Sequence, residues 1–196
     1  MAHDLPDLVA RLEELRPDER DLVPELLAGA EVSDSALEPF LSFRDERYTR
    51  NLVHRGELFD VLVVCWNPGQ HSPIHDHSNQ LGWVRVLRGT LAETAYAKRR
   101  GAAHGDGGSA CEALAAPALD RVGDTVLAAG PAVAAVDRRR AVHRLGNPAG
   151  EPAVSLHVYS RPYDSCLVYD DPEQRPRLVA LAFDTAPADA PPAPRR

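Results

Sequence analysis

Two histidines, His75 and His77, stand one residue apart after the apolar run Leu58–Trp66 and the turn sequence Asn67-Pro68-Gly69. Successive side chains of a strand point to opposite faces, so a His-x-His pair on a strand presents both imidazoles to one side. Two neutral imidazoles on one side are the local geometry for gripping a first-row metal ion. A second stretch, Val154-Ser155-Leu156-His157-Val158-Tyr159, has the same period. Ser155, His157 and Tyr159 fall on one face, and Val154, Leu156 and Val158 on the other. The polar row has two readings. It is either a satisfied ladder in the core, or a relay in which the serine holds the imidazole and the imidazole holds the phenol near a metal. Of the eight histidines, His3 and His104 lie in a terminus and a glycine-rich segment and are set aside. His54 and His71 are surface residues or supporting groups.

The elements that must position these groups divide into two kinds. From residue 4 to about 30 the pattern is helical: Leu5, Leu8, Val9, Leu12 and Leu15 follow the 3.6 period, with Pro6 tolerated in a first turn. Leu22, Val23, Leu26 and Leu27 continue it beyond Pro17, and Ser35-Ala36-Leu37-Glu38 resembles a capping box ahead of another apolar face, Leu37, Phe40 and Leu41. From Tyr48 onward short runs alternate with turn residues. Strands are predicted at about 49–54, 58–66, 74–77, 82–87, 90–96, 125–128, 132–136, 141–144 and 154–159. Many short strands at this spacing predict a mostly β antiparallel sandwich or barrel, with the N-terminal α-helices (about 4–45) packed on it. Lys98 to Gly108 reads as an exposed loop. A single domain is expected over 1–185, followed by a disordered Ala/Pro-rich tail at 186–196.

The totals narrow the classes of function. A chain of 196 residues with 44% hydrophobic and 26% charged residues suits one globular domain. A net charge of -7 argues against nucleic acid as a partner, and the short basic run Arg138-Arg139-Arg140 reads as a solvated strand end. No apolar run reaches the roughly 18 residues of a membrane span. Three cysteines, Cys65, Cys111 and Cys166, lack framework spacing. Free thiols in a reducing cytoplasm are expected, with Cys65 a buried small apolar residue and the protein a monomer.

Gly69, then His75-x-His77, then Trp83 to Gly89 resemble the first motif of the cupin superfamily. His143-Arg144-Leu145-Gly146-Asn147 resembles the His-x-x-x-Asn ending of the second. The carboxylate that usually follows the first motif is replaced by Gly82. A narrower resemblance runs from about Tyr48 to Tyr169. Tyr48-Thr49-Arg50-Asn51-Leu52-Val53, Cys65-Trp66, Ile74-His75-Asp76-His77, His143-Arg144, Ser155 to Ser160 and Tyr163-Asp164-Ser165-Cys166 resemble, in order, the cysteine dioxygenase family. That resemblance implies a single-domain cupin (a jelly-roll β-barrel or sandwich) holding non-haem Fe(2+) on His75, His77 and His143. It places the family's carboxylate-binding arginine at Arg50 and its catalytic Ser-His-Tyr row at Ser155, His157 and Tyr159. The implied substrates are a small thiol and O2, and the implied product is a sulfinate.

Two departures shape the expectations. Mammalian members carry, at the position of Gly82, a cysteine linked through a thioether to the active-site tyrosine; Gly82 cannot form that link. They also carry proline where this chain has Arg161, in a cis Ser-Pro bond. A cis bond before a non-proline residue costs about 3 kcal/mol, so Ser160–Arg161 is expected to be trans. Arg161 becomes a further substrate-binding candidate, turned either to the substrate, to solvent or to Asp164. L-cysteine is the expected substrate. The rival in the same class is a 3-mercaptopropionate dioxygenase, whose members resemble this chain at Arg161 but carry glutamine at the position of Arg50. The rivals of other classes are a zinc or manganese cupin isomerase and a non-catalytic metal- or ligand-binding cupin.

Overall fold

The structure is a computed structural model, and it describes residues 4–78, 80–98, 119–136, 142–172 and 175–188. Helix α1 (Leu5–Glu14) starts on Asp4, whose carboxylate accepts from Leu5 N–H, and buries Leu5, Leu8 and Leu12. Helix α2 (Val23–Gly29) follows a 3-10 turn and buries Val23 and Leu27. The short α3 (Asp34–Leu37) is capped by Ser33, whose hydroxyl accepts from Ala36 N–H. The cap is therefore Ser33 and not the predicted Ser35, because the helix begins at Asp34, two residues before a Ser35 cap would start it.

Eleven strands follow among the described residues: β1 (Thr49–Arg55), β2 (Asp60–Trp66), β3 (Ile74–His75), β4 (Leu81–Arg88), β5 (Thr90–Lys98), β6 (Leu119–Ala128), β7 (Val133–Val136), β8 (Val142–Gly146), β9 (Ala153–Ser160), β10 (Ser165–Tyr169) and β11 (Arg177–Ala180). They form two sheets, ordered β1-β2-β9-β4-β7 and β11-β10-β3-β8-β5-β6, with every strand pair antiparallel. The fold is thus mostly β, a two-sheet antiparallel sandwich with helices on one face. β10, β11 and the first half of β6 were not predicted. The segments 99–118 and 137–141, which hold Cys111, most of the predicted exposed loop and the Arg138–Arg140 run, lie outside the described residues, as do 189–196 of the predicted tail.

Every residue of β2 and β9 is buried, because both faces of the first sheet are covered. On the outer face the helices supply Leu5, Leu8, Leu12, Val23, Leu27 and Leu37 against Val61, Val63, Val154, Leu156 and Val158. Each such leucine, fully removed from water, contributes about 1.5–3 kcal/mol. Arg85 ties the layer down by donating to Leu27 O at 2.6 Å and to Gly130 O at 2.8 Å, a cation placed at the C-terminal end of α2. On the inner face Leu52, Leu62, Val64, Val84 and Val86 meet Leu91 and Leu145 of the second sheet. Cys65 points to the helix side and is 1% exposed, as expected.

The path from β2 to the histidines turns at Asn67-Pro68-Gly69-Gln70. Gln70 N–H donates to Asn67 O at 3.1 Å and Gly69 has φ +78°. Proline second and a positive-φ glycine third are what a type II turn requires. Beyond it, Ser72 N–H donates to Leu145 O and Asn147 N–H donates to Gln70 O, which sews the approach to β3 onto β8.

Candidate metal centre and substrate pocket

β3 is only two residues long, shorter than the predicted 74–77, so strand periodicity alone does not hold His77 beside His75. Asp76 does. Its N–H donates to Leu167 O at 3.0 Å, and its carboxylate accepts from Leu167 N–H at 2.9 Å and Ser78 N–H at 3.3 Å. Pinning Asp76 to β10 turns the flanking imidazoles together toward the space between the sheets. His143 reaches the same point because it sits directly opposite His75 in the β3–β8 pairing. Ring centroids are 5.1 Å apart for His75–His77 and 4.8 Å apart for His75–His143 and His77–His143.

One ligand nitrogen from each of the three histidines lies within 4.8 Å of the others. His75 Nδ1–H donates to Pro73 O at 3.0 Å, and His143 Nδ1–H donates to Glu93 Oε1 at 2.6 Å. Both therefore offer Nε2 inward. Among the described residues nothing hydrogen-bonds to the buried His77 Nδ1. Loss of hydration, reinforced by His143, pushes His75 down to about 3 and His77 well below its usual value. His75 is half-buried and lines the cavity, whereas His77 is 1% exposed. Neutral imidazoles are the form a metal needs. Donor type, convergence and protonation fit a divalent first-row metal.

Above the histidines is a cavity of about 380 Å³ lined by both sheets and by the segment Val179–Ala182. His157 and Tyr159 of β9 line it, and Ser155, fully buried, continues the same row through His157. Ser155 Oγ lies 2.8 Å from His157 Nε2, and His157 Nδ1 lies 2.9 Å from the Tyr159 hydroxyl. The row has a fourth member that sequence reasoning missed: Trp66 Nε1–H donates to Ser155 Oγ at 2.9 Å. An indole N–H only donates, and this sets the direction of the row. Ser155, fully buried, accepts from Trp66 and satisfies its own proton by donating to His157 Nε2. His157 then carries its proton on Nδ1 and donates to the Tyr159 oxygen, which leaves the Tyr159 proton for the cavity. The protonation states agree: burial, then the charge of Arg50, pushes His157 down to about 3, and burial pushes Tyr159 up to about 12. Near neutral pH the row is an uncharged chain ending in a hydroxyl donor.

Arg50 lines the cavity from β1. Its neighbours are engaged: Arg55 grips Asp60 at 2.7 and 2.9 Å and Asp164 at 2.8 Å, and Arg47 grips Asp184 at 2.7 and 2.9 Å. Asp184 also accepts from the Arg50 backbone N–H at 2.9 Å. The Arg50 guanidinium stacks 5.6 Å from the Phe183 ring centroid, and no carboxylate among the described residues pairs with it. Tyr163 and Cys166, also unassigned from sequence, line the same cavity. Burial raises Cys166 to about 11, which keeps it a thiol.

The other candidates lie elsewhere. Arg161 is exposed and absent from the cavity wall, and Asp164 is taken by Arg55. The Ser160–Arg161 bond is cis, not trans as expected. Tertiary surroundings override the local preference here: Ser160 is buried at the end of β9, and Arg161 N–H donates to Gln80 Oε1 at 2.7 Å. His54 faces Glu13 of α1 at 3.1 Å, and His71 is exposed.

Gly82 lies opposite Tyr159 in the β4–β9 pairing. A Cβ at Gly82 would stand 3.3 Å from Tyr159 Cδ1 and Cε1, so the glycine gives the ring its room and supplies no sulfur. Tyr159 is therefore expected to be unmodified after turnover. Intact mass and a reducing gel should show one species; a Tyr159 adduct with Cys65 or Cys166 in peptide mapping would overturn this.

The family model for cysteine dioxygenase type I matches residues 2–172. Cysteine dioxygenase type 1 of Homo sapiens is 30% identical over 186 residues, covering 91% of this chain and 85% of the human protein. The Rattus norvegicus protein of the same name is 31% identical over 190 residues, with the same shares. A solved structure of a conserved protein with a double-stranded β-helix domain from Klebsiella pneumoniae aligns with 63% of this chain and 85% of that one, at 21% identity and a TM-score of 0.44. By a match over nearly its whole length, this chain belongs to the cysteine dioxygenase type I family.

Proposed function

We propose that this protein oxidises L-cysteine with dioxygen to cysteine sulfinate at a ferrous ion held by His75, His77 and His143. The observation that carries the substrate assignment is Arg50: an arginine without a carboxylate partner among the described residues, in the cavity that His75 and His143 of the three convergent imidazoles also line. A bound ferrous ion would supply thiolate ligation and electron transfer to oxygen. The balance closes without an outside reductant: the thiol sulfur gives up four electrons, both oxygen atoms become bonded to it, and the thiol proton leaves to solvent. Arg50 forks onto the substrate carboxylate with charge-assisted hydrogen bonds. Tyr159, with its oxygen held by His157, points its proton at the bound substrate. The apolar wall of Val64, Leu145 and Val168 excludes water from the reacting sulfur. Buried free thiols at Cys65 and Cys166 support a reducing, cytoplasmic setting. Among the described residues no helix is long and apolar enough to cross a membrane.

Oxygen uptake by the iron-loaded protein tests the assignment, with sulfinate measured against oxygen consumed. L-cysteine should exceed 3-mercaptopropionate in kcat/KM by at least about tenfold, roughly 1.4 kcal/mol in transition-state binding. Equal values, or a preference for 3-mercaptopropionate, would move the protein to that substrate. No uptake with either thiol would return it to a binding or isomerase role.

A further inference from the structure

The missing glutamate of the first cupin motif has a counterpart in the fold. We propose that Glu93 is a positioning residue for the metal centre, restoring through His143 the negative charge that Gly82 cannot provide. β5 pairs with β8 so that Ala95 lies opposite His143 and Glu93 opposite Leu145. Glu93 is thus the diagonal neighbour of His143 on the inner face, within reach of a long side chain. Its carboxylate stands 2.6 Å from His143 Nδ1, with His143 2% and Glu93 17% exposed at the side chain. A carboxylate only accepts, so the His143 proton sits on Nδ1 and Nε2 is turned to the metal.

The three ligands are unequal in this respect. His143 leans on a carboxylate, His75 on the Pro73 carbonyl, and His77 on nothing among the described residues. The carboxylate makes His143 the strongest donor, because a partial negative charge is passed through the ring to Nε2. Three neutral imidazoles alone leave a divalent ion its full charge. With Glu93 the centre keeps the open positions of a three-histidine site and gains most of the charge balance of a site with a carboxylate ligand.

This inference rests on His143 being a ligand. The test is anaerobic titration of wild-type, Glu93→Gln and Glu93→Asp apo-protein with ferrous iron and, separately, with zinc, together with the ferric/ferrous potential of the iron-loaded forms. Glu93→Gln keeps an acceptor oxygen and removes the charge. It should bind both metals about 10- to 100-fold more weakly and raise the potential by about 59 mV or more, a tenfold change for one electron. Glu93→Asp, one methylene short of Nδ1, should lose affinity to a similar degree, and it carries the test if Glu93→Gln does not fold. Wild-type affinity and potential in either folded variant would overturn the role of Glu93, provided His143→Ala has lost the metal. Full metal retention by His143→Ala would instead overturn the ligand assignment beneath it.

Discussion

His143→Ala is expected to empty the metal centre and abolish turnover. The histidine is 2% exposed, directly opposite His75, and is the candidate ligand that β8 contributes to a trio otherwise drawn from the segment 75–77. Removing it leaves His75 and His77, two neutral donors, and strips Glu93 of the ring proton it accepts. Affinity for ferrous iron should fall by at least about 100-fold, more than the range for loss of a group that only supports a ligand. His75→Ala and His77→Ala should behave alike. Iron content after desalting, circular dichroism of the apo-protein and oxygen uptake decide it together. A folded His143→Ala protein with full iron would remove His143 from the centre.

Arg50→Ala should keep its iron and lose most cysteine oxidation. The guanidinium contributes no ion pair to the fold among the described residues, so its removal leaves no buried carboxylate stranded, unlike Arg55→Ala, which would strand Asp60 and Asp164. What is lost is the contact to substrate. A charge-assisted, desolvated pair of this kind is worth about 2–4 kcal/mol, or roughly 30- to 1,000-fold in kcat/KM. In the proposed role Arg50 orients the substrate as well as binding it, so both KM and kcat should move. Cysteamine, which lacks the carboxylate, is the internal control: it should be a poor substrate for the wild type and nearly indifferent to Arg50→Ala. Oxidation of cysteamine as efficient as that of cysteine by the wild type would exclude the carboxylate contact.

What could be read from the chain alone were features set within a few residues. The period of 154–159 put Ser155, His157 and Tyr159 on one face, and it held because β9 is paired along its length with both β2 and β4. The N-terminal leucines announced their helices for the same local reason, and His75-x-His77 announced a metal pair. The rest was decided by contacts between residues distant in sequence. His77 joins His75 through the clamp of Asp76 on β10, since β3 ends at His75. β10 and β11 are short and extend the sheet beyond β3 through their pairing with it and with each other. β6, at the edge of its sheet, is largely exposed and so needs no apolar alternation. Glu93 left a trace, as a lone carboxylate in the inward register of Leu91 and Ala95, but its partner became visible only with the β5–β8 pairing. Arg50 is left for the proposed substrate contact because Arg47 and Arg55 claim Asp184, Asp60 and Asp164. Which arginine is left over is settled by tertiary charge pairing, and no local pattern encodes it.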